Sequence, residues 1–356
     1  MSDPETDVVV IGAGIAGLTT AWRLSEAGMR PLVLEARDRV GGRLLSTQVT
    51  GGGLDLGATW FWPHEVRIGR LVAELGVAIT SQHIAGDAVL ELPAGVQRIE
   101  SNPIDVVSGR FVQGAQALAE AVATRLPAEV VRLGHAATAI EASGALLRVV
   151  TPRGAFRARH VVMALPPALA MAGIAISPAL PPRLVRVARS TPVWMGAITK
   201  VVVEYAEPFW RAVGLAGAAM SHVGPMRELH DMCGPDGQPA ALFGFAPATR
   251  VGAPTVTTDR VLTQLTALFG SAAASPRNLW IQDWRHEPFT SPPEVERLTD
   301  YATFGHREYA MSALEGRLHW ASTETAAEAP GHIEGALAAA QRAVSAILRA
   351  PDPPTG

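Results

Sequence analysis

Three glycines near the N-terminus have the spacing of a dinucleotide-binding turn. Gly12, Gly14 and Gly17 follow the apolar run 8–11 in the order G-x-G-x-x-G. In such a turn the first glycine reverses the chain, the second leaves room for a pyrophosphate, and the third lets a helix pack close to the strand. The unpaired N–H groups at the start of that helix then face the phosphates. The pattern therefore predicts an anion site.

An acidic residue completes the same unit. The predicted helix begins with Ile15 and Ala16 and runs to Gly28, and a second strand over 30–34 ends on Glu35, 18 residues after the last glycine. A carboxylate at this position binds ribose hydroxyls and repels a 2′-phosphate. The unit therefore favours NAD, or the adenosine half of FAD, over NADP.

The residues that follow Glu35 distinguish between these two nucleotides. The segment 35–43 contains a second glycine pair and three arginines. It resembles the second half of the fingerprint in FAD enzymes of the glutathione-reductase-like two-domain type, above all the flavin amine oxidases. The resemblance implies FAD, with the backbone close to the cofactor and an arginine bonded to phosphate. The cofactor-binding residues that it assigns here are Ala36, Arg37, Gly41, Gly42 and Arg43.

Lys200 is the only lysine among the 30 basic residues of the chain. A lysine kept where arginine would serve as a charge is a candidate for an amine that loses its proton. The alternative is an edge-strand lysine that limits aggregation, beside the strand-like run 201–203. The segment 196–211 resembles the monoamine oxidase sequence around the active-site lysine. That resemblance implies that Lys200 is the catalytic residue, holding a water beside flavin N5 and assisting reoxidation.

Three aromatic residues, Trp60, Phe61 and Trp62, follow a glycine-rich run at 51–59. In the resembled family this run passes beside the isoalloxazine ring, so Trp60 is expected to face the substrate and all three to line the cavity mouth. A hydrophobic core cluster is the equal alternative. The resemblance assigns further cofactor contacts to Gly57, Ala58 and Thr59, to the backbone at Ala137 beside adenine, and to Trp284 against the flavin.

The segment 316–337 resembles the block that closes the flavin site in the same family. A helix predicted over 333–348 presents its N–H groups and positive dipole end to the flavin N1/O2 edge. His332 and the region 293–295 occupy the places of two tyrosines that flank the substrate nitrogen in monoamine oxidases. The assigned cofactor residues are Ser322, Thr323, Glu324, His332 and Ile333, and the assigned substrate residues are Trp60 and His332.

The resemblance implies an α/β protein with two domains. A Rossmann-like FAD-binding domain is assigned to 1–76, 129–165 and 316–356, and a substrate-binding domain built on a mixed β-sheet to 77–128 and 166–315. Only about thirty residues stand where monoamine oxidases carry a helical lid over the substrate cavity, so the chain is identified as a shortened member. Because the reacting centre must exclude water, we expect a homodimer that closes the open side, and a bulky substrate.

Composition limits the remaining functions. The chain has 356 residues, of which 48% are hydrophobic, and a net charge of -3, which gives no electrostatic reason to expect nucleic acid or an acidic membrane. The single cysteine, Cys233, cannot form an internal disulfide, and the acidic N-terminus lacks the features of a signal peptide. We therefore expect a cytoplasmic protein, and no metal site is predicted.

The reaction implied by the resemblance is oxidation of a C–N bond in an amine or amino-acid-derived substrate. Hydride passes to flavin N5, O2 is the acceptor and H2O2 is the product. No cysteine lies near 291–295, where monoamine oxidases bond their flavin, so noncovalent FAD is expected. Two alternatives stay open: desaturation of a C–C bond in a biosynthetic pathway, and a redox-silent FAD-binding scaffold.

Overall fold

The computed structural model describes residues 3–247 and 255–350. No helix within these residues is long and apolar enough to cross a membrane. The strands, in chain order, are β1 Glu5–Ile11, β2 Pro31–Leu34, β3 Ser46–Val49, β4 Gly52–Asp55, β5 Ile79–Ser81, β6 Asp87–Leu92, β7 Gly95–Ile99, β8 Gly109–Phe111, β9 Val131–Arg132, β10 Ala139–Ser143, β11 Leu146–Thr151, β12 Gly154–Met163, β13 Ala175–Ser177, β14 Ile198–Tyr205, β15 Leu215–Ser221, β16 Glu228–Asp231, β17 Ala240–Pro247, β18 Asn278–Asp283 and β19 Leu318–Trp320. The α-helices are α1 Ile15–Glu26, α2 Val66–Leu75, α3 Gln116–Ala123, α4 Pro167–Gly173, α5 Pro182–Ser190, α6 Phe209–Ala212, α7 Thr258–Phe269 and α8 Ile333–Leu348.

The first sheet carries the glycine turn. Its strand order is β13-β10-β11-β12-β1-β2-β9, and β19 pairs with the end of β12. The apolar residues of β1 are buried, and the strand pairs in parallel with β12 on one side and β2 on the other. A continuous apolar run suits such a central parallel strand because helices cover both of its faces. The predicted strand–turn–helix–strand unit is therefore confirmed.

Two helices begin at the same edge of this sheet. α1 follows β1 directly, α8 follows β19, and the two helices pack against each other. α2 and α3 complete the same apolar layer, in which Leu18 of α1 and Leu118 of α3 are fully buried. This arrangement places the N-termini of α1 and α8 at one end of the sheet, where β1 and β2 also finish.

The second sheet carries Lys200. Its strand order is β18-β14-β17-β16-β15-β6-β7, and its pairs are antiparallel except for β15 with β6. β14 lies between β17 and β18, so Lys200 is on an interior strand. The edge-strand explanation for this lysine is therefore wrong.

Packing moves parts of the predicted substrate segments to the first sheet. α3 packs with α1, and β13, α4 and α5 join the first sheet and its second apolar layer, through Leu184 and Ala188 among others. Residues 116–123 and 167–190 therefore pack with the first sheet. The sequence had placed them in the substrate-binding domain. Between α2 and β8 the described chain contains three short strands and no helix, as expected for a member without a helical lid.

Candidate active site

A cavity of about 690 Å³ joins the two sheets. That volume lies within the range of cofactor and small-molecule pockets, about 300–1,000 Å³. Among the residues assigned from the sequence to the cofactor, to catalysis or to substrate contact, Gly17 and Glu324 are absent from its lining. The others line it: Gly12, Gly14, Ile15, Ala16, Glu35, Ala36, Arg37, Gly41, Gly42, Arg43, Gly57, Ala58, Thr59, Trp60, Ala137, Lys200, Trp284, Ser322, Thr323, His332 and Ile333.

The glycine turn is built from backbone that other residues could not adopt. Gly12 has a φ of 106°, in the region that favours glycine. A Cβ on Gly17 would lie 2.0 Å from the carbonyl oxygen of Gly12, so α1 reaches this turn only because residue 17 has no side chain. Gly41 donates its N–H to Ala13 O at 2.8 Å and so brings the second glycine pair beside the first turn. α1 has no side-chain cap, which leaves its first N–H groups available to an anion.

Glu35 stands at the end of β2 with its carboxylate held by backbone groups. Oε2 accepts the N–H of Ala13 at 2.7 Å, and Oε1 accepts the N–H of Arg37 at 2.9 Å. Each carboxylate oxygen keeps a further lone pair for a donor from the cavity. This geometry suits the ribose contact that the sequence predicts for Glu35.

Glu324 is fully buried and binds protein groups instead of facing the cavity. Its Oε1 lies 2.6 Å from Arg43 Nη1 and also accepts the N–H of Trp194 at 3.1 Å. A buried carboxylate is stable only with such partners. The expectation that Glu324 contacts the cofactor is therefore not supported by its position, and its contacts hold Arg43 and Trp194 at the wall.

The start of α8 presents a second uncapped helix terminus to the cavity. His332 precedes the helix and makes no side-chain cap. Thr323 Oγ1 accepts the N–H of Gly331 and donates to His332 O, both at 2.8 Å, and so holds the preceding turn. Ser322 Oγ is buried at the wall without a protein partner. Free N–H groups and an unpartnered hydroxyl suit a ligand that carries acceptor atoms.

Lys200 reaches this wall from β14 with only 1% of its surface exposed. Its Nζ donates to Gly57 O at 2.8 Å and to Thr59 Oγ1, and lies 4.4 Å from the centre of the Phe243 ring. Burial lowers the pKa of Lys200 to about 7, although the negative charge of Asp55 opposes the shift. Near neutral pH the group therefore exists both as ammonium and as free amine, which an acid–base role requires.

Aromatic side chains line the parts of the wall beside Lys200 and the start of α8. Trp62 stacks on His332 with ring centres 4.7 Å apart, and Glu65 Oε1 lies 2.7 Å from His332 Nδ1. Trp60 lies 6.2 Å from Phe245, on the side of Lys200. The sequence has no tyrosines at the two places where monoamine oxidases have them. Trp60, Trp62 and Phe245 supply aromatic surface from other positions.

Two expectations about this wall need correction. Phe61 packs on Phe111 with ring centres 5.3 Å apart, inside the first apolar layer, so it follows the core alternative and does not line the mouth. The region 293–295 is also absent from the wall within the described residues. Trp194 and Phe245 line it instead. Sequence reasoning missed both because neither belongs to a recognisable motif, although Trp194 stands just before the lysine block.

The wall fits FAD in its chemistry. It combines a glycine turn, two uncapped helix N-termini and an acid at the end of β2. Cys233, the single cysteine of the chain, is buried elsewhere and cannot bond a flavin in this cavity. Across residues 3–247 and 255–350, no group of three or more His, Cys, Asp or Glu side chains could hold a metal ion.

Comparison with known proteins agrees with this chemistry. A family model described as flavin containing amine oxidoreductase matches residues 80–348, which is more than half of the chain. The chain belongs to this family. A model of NAD(P)-binding Rossmann-like domains matches residues 10–75 of this amine oxidoreductase, the part that contains the glycine turn. FAD is accordingly its cofactor.

Curated relatives match this amine oxidoreductase over nearly its whole length. A Mycobacterium tuberculosis protein described as a flavin-containing monoamine oxidase is 28% identical, covering 96% of each chain. The putrescine oxidase of Kocuria rosea is 26% identical, covering 97% of this chain and 96% of the relative. The first alignment spans 443 positions, more than the 356 residues here, so that relative contains segments that this chain lacks.

Solved structures share the fold. A putrescine oxidase bound to putrescine superposes with a TM-score of 0.83 at 20% identity, covering 98% of this chain and 100% of the other. Cyclohexylamine oxidase from Brevibacterium oxydans has 23% identity and covers 97% of this chain and 99% of its own. The two-domain α/β fold expected from the sequence is thereby confirmed.

Proposed function

We propose that this protein oxidises the C–N bond of an amine, with O2 as the electron acceptor and H2O2 as the product. The observation that carries the proposal is one cavity in which a dinucleotide-type glycine turn and a buried lysine meet an aromatic wall. Bound FAD supplies the two-electron redox chemistry, and the protein supplies binding, orientation and electrostatics.

The chain's own residues have three tasks in this reaction. Trp62, His332 and Trp60 present apolar ring surface that orients the substrate and excludes water from the reacting amine. The Gly57 carbonyl and the Thr59 hydroxyl hold the Lys200 amine at a fixed place in the wall. We assign Lys200 to the reaction with O2, in which an ammonium group stabilises negative charge as it develops.

Amine oxidation is favoured over the two alternatives. The family model describes amine oxidoreductases, and relatives covering nearly the whole chain are named for monoamines and putrescine. No finding favours desaturation of a C–C bond, and the family model describes oxidoreductases rather than redox-silent scaffolds.

We further propose a cytoplasmic homodimer. Val106 and Val107, on the connection between β7 and β8, expose 59% and 66% of their surfaces. They adjoin Asp105, which contacts His230 behind the cavity wall. Neighbouring exposed apolar residues of this kind suit burial by a second subunit. Size-exclusion chromatography with light scattering tests this proposal, and a monomer at micromolar concentration contradicts it.

The experiment for the main function is a peroxide-release screen of amines and amino acids with purified yellow protein. We expect the colour to bleach with substrate under anaerobic conditions and to return in air. Acid precipitation should leave the flavin in solution, since no cysteine is available to bond it. A flavin that no amine reduces would contradict the proposed function, and a flavin that stays in the pellet would contradict noncovalent binding.

A further inference from the structure

One carboxylate on the cavity wall has no part in the chemistry described above. Among the lining residues that the structure describes, Glu35 and Glu228 are the acids, and Glu35 lies beside the glycine turn. Glu228 begins β16 in the second sheet, and 44% of its side chain is exposed. It therefore offers a negative charge to whatever occupies the substrate side of the cavity.

The register of the second sheet aligns Glu228 with Lys200. Lys200 pairs with Phe245 between β14 and β17, and Phe245 pairs with Glu228 between β17 and β16. Directly paired residues project from the same face of a sheet. Two strand spacings, or about 10 Å, separate the Cα atoms of Lys200 and Glu228. Phe245 stands between them in this row, and its ring centre lies 5.6 Å from Lys200 Nζ.

A buried histidine lies beside the carboxylate. His230 Nε2 lies 3.1 Å from Glu228 Oε1, and His230 Nδ1 lies 2.6 Å from Asp105 Oδ1. Burial disfavours the charged imidazolium, but the hydrogen bond to Asp105 and the negative charges of Asp105 and Glu228 outweigh it and raise the pKa of His230. One imidazolium between two carboxylates leaves one net negative charge. Arg227 also lines the wall, and its Nη1 donates to Ser221 O at 3.0 Å.

We propose that Glu228 binds a second cationic group of the substrate, so that the protein prefers diamines or longer polyamines to monoamines. The inference rests on the proposed amine oxidase function. One amine reacts at the aromatic wall near Lys200, the connecting methylene groups lie across Phe245, and the distal ammonium binds Glu228. Such a charge-assisted hydrogen bond is stronger than a neutral one. Trp60, 6.2 Å from Phe245, adds a second ring that attracts a cation.

The test compares diamines with monoamines on the FAD-loaded protein. Anaerobic stopped-flow reduction is measured with α,ω-diaminoalkanes of increasing length and with n-alkylamines of the same carbon number. The wild type should favour the diamine by about 10- to 100-fold in limiting rate divided by Kd. Glu228→Gln should bring that ratio close to one, mainly by raising Kd. Glu207→Gln is the matched control, because Glu207 is exposed and outside the cavity wall, and should keep the wild-type ratio.

A second variant keeps the charge and shortens its reach. Glu228→Asp should shift the preferred diamine to a longer chain, an outcome that a purely structural role would not produce. The inference is overturned if the wild-type protein shows a diamine-to-monoamine ratio of one or less. It is also overturned if both variants leave that ratio and the preferred diamine length unchanged. In either case amine oxidation stands. A protein whose flavin is reduced by no amine overturns the proposed function, and this inference falls with it.

Discussion

The two sides of the cavity are built from different parts of the chain. On the side of the first sheet, where we propose that FAD binds, backbone groups line the cavity: the glycine turn, the N–H groups that begin α1, and those that begin α8. Charged side chains there are largely bound within the protein, as Arg43 is by Glu324. On the side of the second sheet, where we propose that the substrate binds, side chains line the cavity, with Lys200, Phe245 and Glu228 in one row.

This difference determines which residues can be substituted without displacing the backbone of the wall. A wall made of backbone depends on residues without side chains, so a single added Cβ displaces the turn or the helix. A wall made of sheet side chains keeps its backbone when one residue changes, because each strand contributes a replaceable group to the row. We therefore expect substitutions on the cofactor side to affect folding and FAD binding, and substitutions on the substrate side to affect kinetics.

The largest effect tests a buried ion pair on the cofactor side. Arg43→Met leaves the fully buried carboxylate of Glu324 without its counter-charge, and should destabilise the protein by about 3–5 kcal/mol. Arg297→Met is the matched control, because Arg297 forms an exposed pair with Glu294 and should cost less than about 1 kcal/mol. Urea unfolding measures both variants. Equal losses would show that Glu324 does not depend on Arg43.

The next effect compares two helical glycines. Gly17→Ala places a Cβ 2.0 Å from Gly12 O, so it should destabilise the protein by about 1–3 kcal/mol and release FAD during gel filtration. Gly69→Ala, on the exposed side of α2, meets no atom within 4 Å and should stabilise by about 0.5–1 kcal/mol. If Gly17→Ala retains its flavin, the close contact between α1 and the turn is not required.

A third prediction moves to the substrate side, where kinetics should change and FAD should remain bound. Lys200→Met removes the buried amine and should slow reoxidation of the reduced protein by O2 by about 100-fold. Stopped-flow mixing of reduced protein with O2 measures this rate, and the flavin content of the variant is the control. An unchanged rate would remove Lys200 from the chemistry.

The same lysine predicts the pH dependence of reoxidation. With the pKa of Lys200 lowered to about 7, the ammonium form predominates below that pH and the rate should fall as the pH rises through it. Lys200→Arg keeps the charge but does not titrate in this range, so its rate should be flat across neutral pH. A wild-type profile that is equally flat would contradict the assignment.

The smallest effect contrasts two buried histidines. Burial, with the neighbouring His160, lowers the pKa of His319 in the first sheet to about 4. An unfolded histidine takes up a proton near pH 6.5, so this group removes up to about 2 kcal/mol of stability as the pH falls to about 5. The pKa of His230 in the second sheet is raised, so its contribution is present below pH 6.5 and is lost as the pH rises through its folded pKa.

Urea unfolding across this pH range tests the contrast. His319→Phe should flatten the acid side of the stability profile and leave the alkaline side unchanged. An acid side as steep as that of the wild type would show that His319 is not kept neutral by its surroundings.

The cofactor side could be predicted from the sequence because its chemistry depends on residue type and local spacing. Gly12, Gly14 and Gly17 are required by the conformation of a few neighbouring peptides, and Glu35 by the length of one strand–helix–strand unit. Lys200 was identified by its rarity and by the block around it. The residues of such a unit lie close together in the chain, so their types and spacing are enough to predict their contacts.

Only the tertiary structure decided the rest. Phe245 and Glu228 join Lys200 because three distant segments pair in one register, and a shift of one residue would turn each side chain to the opposite face. Glu324 belongs to a segment that resembles a family motif, yet packing buries it against Arg43. The lowered pKa of Lys200 likewise comes from burial against Gly57, Thr59 and Phe243, which are distant from it in the chain.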